Sequence, residues 1–417
     1  MVRWRTDVAT DSRVTYGPTR GSPDQVAEVA APTTEHEVPL RGLTPGTEYC
    51  YSIGTCSKML SESDDSQFFF TPPVPSTTQP VRIWVIGDSG TGDTNAKAVR
   101  DAYYRFAGTR HTDLWLTVGD NAYDNGTDNQ YQRTLFEVYP SLSKRAVLWP
   151  SIGNHDLHTI EVKGKPVFKV KKSPVAPYHE IFTLPTHGEA GGVPSQTEYY
   201  YSFDFANVHF VCLDSEGSDR TADGPMATWL KKDLEQTRAD WIIAYCHKPP
   251  YSKGHHDSDA SAMARFRAAF VPILEEGGAD LVLGGHCHSY ERSFLLAGHY
   301  GLSETLTAAM KLDAGDGRED GSGAYKKPAG KSARNGTVYV VAGSSGKLAN
   351  IPPPFGHPAN YTGLLKLGSL VIDVDGHRMD VKFLRETGEV DDYFTILKGE
   401  GKTSGKTAIE TDPLGSA

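Results

Sequence analysis

Five times in this 417-residue chain an apolar, strand-like run stops and an aspartate, asparagine or histidine follows within a few residues. The five endings are Ile83-Trp84-Val85-Ile86-Gly87-Asp88-Ser89-Gly90, then Leu114-Trp115-Leu116-Thr117-Val118-Gly119-Asp120-Asn121-Ala122-Tyr123, then Pro150-Ser151-Ile152-Gly153-Asn154-His155-Asp156, then Ile243-Ala244-Tyr245-Cys246-His247, and Gly284-Gly285-His286-Cys287-His288-Ser289-Tyr290-Glu291-Arg292. Strands apolar on both faces belong to sheets that are covered on both sides. In such α/β sheets the residues just beyond the strand ends converge on one ligand-binding edge. Singly, each ending has an ordinary explanation: aspartate after glycine is a common turn, and a histidine beside a strand is commonly a satisfied structural residue. Five in one chain argue instead for a metal site. His286 and His288 strengthen the case, because alternation puts both imidazoles on one side with Cys287 opposite.

The donors on offer are carboxylates, imidazoles, an amide and a phenol, with no cysteine cluster of zinc-finger spacing. Oxygen and nitrogen ligands of this kind suit Fe, Mn and Zn. Their number fits two ions better than one, and a carboxylate bridging two ions about 3.5–4 Å apart is the usual arrangement for phosphoryl hydrolysis.

The length predicts two domains. Residues 1–70 read as all-β, with short alternating runs at Val2–Thr6, Arg13–Tyr16, Glu35–Leu40, Thr47–Ile53 and Gln67–Phe70 between Gly/Pro turns, the pattern of a small sandwich. The corner around Leu40–Tyr49 resembles that before a late strand of a fibronectin type III domain, although an opening strand this early leaves the first strand of such a fold missing. Residues 71–80 are a proline-rich extended linker. From 81 to 397 strands alternate with amphipathic helices near Asn95–Phe106, Met226–Gln236 and Ala260–Glu275, which predicts an α/β domain of two sheets flanked by helices. The stretches 159–175 and 313–335 read as surface loops, and 398–417 as a solvated tail.

Composition excludes several function classes. A net charge of −10 gives no basic footprint for nucleic acid. No apolar run approaches the ~20 residues that cross a bilayer. Five widely spaced cysteines are not a disulfide framework, and Cys50 and Cys56 could pair only if the chain bent between them. The chain opens Met1-Val2-Arg3-Trp4-Arg5-Thr6, without a basic-then-apolar leader.

In this order the five motifs resemble those of the purple acid phosphatases: D-x-G, G-D-x-x-Y, G-N-H-(D/E), a strand ending in His, and G-H-x-H. The resemblance covers 81 to about 397, and a preceding sandwich is usual in plant and bacterial members. It implies that Asp88, Asp120, Tyr123 and His288 hold a first ion, ferric iron. Asp120 would bridge to a second, Fe, Zn or Mn, held also by Asn154, His247 and His286. His155 would face the substrate, and His255 and His256 stand where the family carries a further histidine pair, with a solvated loop position as their other reading. In the wider metallophosphoesterase superfamily the first motif usually ends in a histidine ligand. Here Gly90 stands there and Tyr123 supplies a new donor, which favours trivalent iron.

The reaction implied is hydrolysis of a small phosphate monoester by a metal-bound hydroxide, without a phosphoenzyme, since no serine or cysteine has nucleophile-elbow context. His155 or His256 would protonate the leaving group. Asp156 would either orient His155 or sit on the surface, and Tyr290, Glu291 and Arg292 would brace the fifth motif. The competing readings are a phosphodiesterase or phosphotriesterase with the same ions, and a non-catalytic binding protein, which would be expected to lack ligands. A dinuclear β-lactamase-type hydrolase needs an H-x-H-x-D-H run that 286–291 does not supply. The family's usual export implies a secreted or periplasmic protein.

Overall fold

The computed structural model describes residues 1–61, 66–157, 177–350 and 355–399, together with the backbone of a short antiparallel pair, Glu161–Val162 with Lys165–Pro166. Apart from that pair, the loop expected at 159–175 lies outside the described residues, as does the expected tail beyond Gly399.

After residue 80 the chain builds two seven-stranded sheets. The first has the order Tyr325–Lys327, Val390–Lys398, Arg378–Arg385, Gly368–Asp375, Val81–Ile86, Leu114–Thr117, Val147–Pro150. The second has the order Tyr201–Phe205, Val208–Cys212, Trp241–Tyr245, Leu281–Gly284, Val338–Ala342, Tyr290–Ser293, Asn360–Leu364. The last three strands of the first sheet run parallel. So do Val208–Cys212, Trp241–Tyr245, Leu281–Gly284 and Val338–Ala342 of the second.

Period-two alternation decides which face goes where. Phe210, Ile243, Leu283 and Val340 enter the core shared with the first sheet, while Val211, Ile242, Val282 and Tyr339 pack with the helices Pro225–Gln236 and Ser261–Glu276. The helix Thr94–Ala107 covers the first sheet, with Tyr103 stacked on Trp84 at 4.3 Å between ring centroids. Its start is fixed by Asp93, whose side chain accepts the N–H groups of Asn95 and Ala96. All three long helices lie within one residue of the expected bounds. The stretch 313–335 differs from expectation, because Tyr325–Lys327 leaves the loop to pair with Val390–Lys398 and becomes the sheet's edge strand.

The N-terminal region is all-β as expected, and its described residues form one four-stranded antiparallel sheet in the order Gln25–Val38, Val2–Gly17, Glu48–Gly54, Phe68–Phe70. A second layer on this sheet is not found among the described residues. Val2–Thr6 and Arg13–Tyr16 belong to one strand, whose register shifts between Arg5 and Ser12 interrupt the alternation that would reveal it. The sheet rests on the rest of the chain through polar contacts: Tyr51 donates to Lys144 O at 3.0 Å, Arg145 donates to Ser66 O at 3.1 Å, and Arg5 pairs with Asp128. Cys50 is buried in its strand and Cys56 lies on the surface, and no disulfide joins them.

One buried charge should set the alkaline limit of stability. Asp204 and His209 face each other across a hairpin. His209 is fully buried, with Nδ1 2.7 Å from Asp204 and Nε2 2.8 Å from Asp233 of the helix Pro225–Gln236. Burial alone would lower the imidazolium pKa, but hydrogen bonds with Asp204 and Asp233 outweigh it and raise it to about 9. A raised folded-state pKa stabilises fully below the unfolded value of 6.5 and is lost as pH climbs through about 9. The loss is on the order of 3 kcal/mol. Urea midpoints across this window should fall for the wild type and fall less for His209→Gln, and a flat wild-type profile would contradict the assignment.

Candidate metal centre

Strand ends from both sheets meet at one edge. From the first sheet, Val81–Ile86 leads to Asp88, Leu114–Thr117 to Asp120 and Tyr123, and Val147–Pro150 to Asn154 and His155. From the second, Trp241–Tyr245 leads to His247, and Leu281–Gly284 to His286 and His288. The turns that follow are unusual. Asp88, Asp120 and His286 have φ of 51°, 54° and 65°, a left-handed region that residues with a Cβ seldom occupy and that costs on the order of 1–3 kcal/mol each. Backbone bonds pin them: Asp88 N–H donates to Gly119 O at 3.1 Å, Gly90 N–H to Asp120 O at 3.1 Å, and His286 N–H to Asp88 Oδ2 at 2.8 Å.

The seven expected ligands fall into two clusters that touch. In one, the Tyr123 hydroxyl donates to Asp88 Oδ1 at 3.0 Å and lies 3.2 Å from His288 Nε2, which is itself 3.4 Å from Asp88 Oδ1. In the other, His247 Nε2 lies 3.1 Å from Asn154 Oδ1, 3.4 Å from Asp120 Oδ1 and 3.2 Å from His286 Nδ1. Donor atoms of Asp88, Asp120 and His247 lie within 4.8 Å of one another and join the clusters. His247 Nδ1 donates to Val118 O at 2.9 Å, which turns the Nε2 lone pair toward the site.

This donor set fits metal cations. Asp88 and Asp120 are both buried, and among the described residues neither pairs with lysine or arginine. Burying two carboxylates side by side is costly without a cation. Burial raises the pKa of Asp120, and the charge of Asp88 adds to the effect. Burial also pushes Tyr123 well above the usual phenol range, with Asp88 and Asp120 adding to it. The protein alone therefore keeps Tyr123 protonated, and only a strongly charged cation would draw out its phenolate. His286 is held well below the usual imidazole range by burial and by His247, so its ring is neutral, as a ligand must be.

Residues 81–290 match the family of calcineurin-like phosphoesterases, a stretch that makes up half of the chain. The chain belongs to this family. Among calcineurin-like phosphoesterases its relatives include purple acid phosphatases, as the motifs imply. Purple acid phosphatase 15 of Arabidopsis thaliana is 30% identical over 290 residues, covering 62% of this chain and 49% of that protein. The purple acid phosphatase of Glycine max is 27% identical over 267 residues, covering 62% of this chain and 52% of that protein. This calcineurin-like phosphoesterase thus spans about half the length of these curated relatives. In fold it is similar to the purple acid phosphatase PPD1 from seeds of yellow lupin (Lupinus luteus), with a TM-score of 0.75 at 17% identity over 95% of this chain and 72% of that one. Among the described residues no helix is long and apolar enough to cross a membrane.

The other expected site residues are also brought to this edge, with one correction. His155 packs edge-on against Tyr123 at 4.6 Å, its N–H donates to Asp120 Oδ1 at 2.9 Å, and its Nδ1 donates to Asp124 O at 2.6 Å. That carbonyl, and not Asp156, orients the ring. Asp156 is neither on the surface nor against His155. It is fully buried and accepts from Asn121, Gly153 and Tyr131, and burial with the charge of Asp120 raises its pKa to about 6. Its role is to hold the loop that carries Asn154 and His155. Gly90 has a plainer reason than ligand exchange: a Cβ there would lie 2.4 Å from Asn121 C and Ala122 N, so the second motif packs directly on its backbone.

His255 and His256 come to the centre as well. His256 stacks on His286 at 4.0 Å, His255 lies 4.4 Å from His288, and the His288 N–H donates to His255 Nδ1 at 3.2 Å. The His255 proton therefore sits on Nε2, as a donor; burial and the neighbouring imidazoles lower its pKa to about 4. Glu291 secures their loop by accepting from Ser252 Oγ at 2.5 Å and Lys253 N at 3.1 Å. Arg292 is buried and forms a bidentate pair with Asp392 at 2.6 and 2.9 Å. Lys347, which belongs to none of the five motifs, also reaches this edge, its Nζ 4.6 Å from the centre of the Tyr123 ring. It follows a sixth strand end, Val338–Ala342, but its Gly-Ser-Ser-Gly approach reads as an ordinary turn.

Proposed function

We propose that the chain is a metal-dependent phosphatase that hydrolyses phosphate monoesters at a dinuclear Fe(III)–M(II) centre. The observation that carries this reading is the division of seven donors into two touching clusters, one of them containing a phenol. Asp88, Asp120, Tyr123 and His288 would hold ferric iron. Asn154, His247 and His286 would hold Fe, Zn or Mn, with Asp120 between the two. Such ions, when bound, activate water as a nucleophile and neutralise the oxygens of the ester.

The chain's own residues do the rest. His155, fixed through Nδ1 by the Asp124 carbonyl, keeps Nε2 for the leaving-group oxygen and is the proposed proton donor. His255 offers its Nε2–H to the phosphate, and His256 stacks beside it on His286. In this reading residues 81–397 carry the chemistry, 71–80 are a linker, and 1–70 are a supporting fibronectin type III-like module. The substrate is a small phosphate ester, and export to a secreted or periplasmic compartment belongs to the same family reading.

Colour tests the assignment of Tyr123. Iron-loaded, oxidised protein should be violet to purple from phenolate-to-Fe(III) charge transfer, and Tyr123→Phe should bleach it while Asp88, Asp120 and His288 retain iron. Visible spectra paired with elemental analysis decide it. Colourless wild-type protein of full iron content would remove Tyr123 from the ligands.

A further inference from the structure

Six strand ends, rather than five, reach the metal centre. Val338–Ala342 runs parallel to Leu281–Gly284, so its end opens on the same edge, and Gly343-Ser344-Ser345-Gly346-Lys347 leaves it. This segment is pressed onto the ligand turns. A Cβ on Gly343 would lie 2.2 Å from Cys287 O and 2.9 Å from Asp88 Oδ2, and one on Gly346 would lie 3.0 Å from Asp88 O. Ser345 N–H donates to Gly87 O at 3.1 Å, and Ser345 Oγ accepts the Gly87 N–H at 3.2 Å. On the far side Ala349 N–H donates to His288 O at 3.0 Å. Lys347 therefore projects from a backbone anchored to the turns of Asp88 and His288, one from each sheet.

Its half-buried ammonium lies 4.6 Å from the centre of the Tyr123 ring. Among the described residues it has no carboxylate partner and no hydrogen bond. Lys248, next to His247, shows the contrast: its Nζ is committed to Glu216 at 2.6 Å. A lysine ammonium is a strongly hydrated point charge on a flexible stem, and a cation held without an anion beside an oxyanion site is available for one. A phosphate monoester is mostly dianionic above its second pKa near ~6, whereas a diester carries one charge. A further cation therefore favours the monoester.

We propose that Lys347 is a substrate-binding residue that takes a non-bridging phosphate oxygen and gives the site its preference for dianionic monoesters over diesters. This rests on the two-metal phosphatase reading. The test compares wild type, Lys347→Met and Lys347→Arg at pH ~7, each with metal content confirmed. It measures the dissociation constant of inorganic phosphate, and kcat/KM on p-nitrophenyl phosphate and bis(p-nitrophenyl) phosphate. Lys347→Met should weaken phosphate about tenfold and lower monoester kcat/KM about tenfold through KM, within what one hydrogen bond to a charged group supplies. Diester kcat/KM should stay within about twofold, and Lys347→Arg should restore most of the loss. A fully metallated Lys347→Met that binds phosphate and discriminates between the esters as the wild type does overturns the assignment and leaves the phosphatase reading intact. Wild type that holds two ions and hydrolyses neither ester overturns the phosphatase reading itself, while phosphate binding still weighs Lys347 directly.

Discussion

Asp120→Ala is expected to empty both ion positions and to reduce turnover to background, a loss on the order of 10⁴-fold or more, beyond the usual range for acid–base groups. Asp120 Oδ1 lies 3.4 Å from His247 Nε2 and accepts the His155 N–H at 2.9 Å. The residue also stands in a left-handed turn whose carbonyl accepts Gly90 N–H. Removing the carboxylate would take the proposed shared ligand from both ions and the tether from the His155 loop at once. Asp120→Asn keeps the shape and the tether but not the charge. It should therefore hold its loop yet bind metal poorly. Elemental analysis and p-nitrophenyl phosphate turnover decide the matter. An alanine variant with two ions per chain and normal turnover would sink the dinuclear assignment.

His155→Ala should behave differently, lowering kcat by about 10²–10⁴-fold while metal content stays near that of the wild type. The side chain of His155 is absent from both ligand clusters. It is held over Tyr123 by the Asp124 carbonyl, and its tie to Asp120 is through backbone N–H, which alanine keeps. The loop beneath it is fastened by Asp156, which also survives the change. Steady-state kinetics alongside metal analysis separates the two outcomes. A fall in kcat of less than about threefold would take His155 out of the mechanism.

Most of the centre was legible because two signals coincided at each motif. A strand apolar on both faces has to lie inside a layered sheet, and a metal-type side chain just past its end has to lie on the sheet's edge. The long helices were legible for a similar reason, since amphipathic periodicity and end signals such as Asp93 agree. What escaped notice lacked a local signal. The strand Tyr325–Lys327 is three residues long and makes sense only against the edge it joins. The opening strand hid its continuity behind register shifts, and whether a second sheet covers it is not encoded in short-range alternation. Asp156 stayed open between two readings because its partners are remote in sequence, Asn121 in the preceding motif and Tyr131 in the short helix Asp128–Tyr131. The tightness around Gly90 and the reach of Lys347 depend on which loop crosses which, which spacing does not report.

The two halves of the centre come from different sheets, Asp88, Asp120, Tyr123 and Asn154 from one and His247, His286 and His288 from the other. Any ion shared between the two sets is therefore also a rivet through the middle of the molecule. Binding that belongs only to the native state raises stability by mass action, and here it does so across the seam where the layers would first part. Metal supply would then govern how long the chain survives as well as whether it works, and a cell short of the ions would lose the protein to unfolding and proteolysis, not merely its turnover.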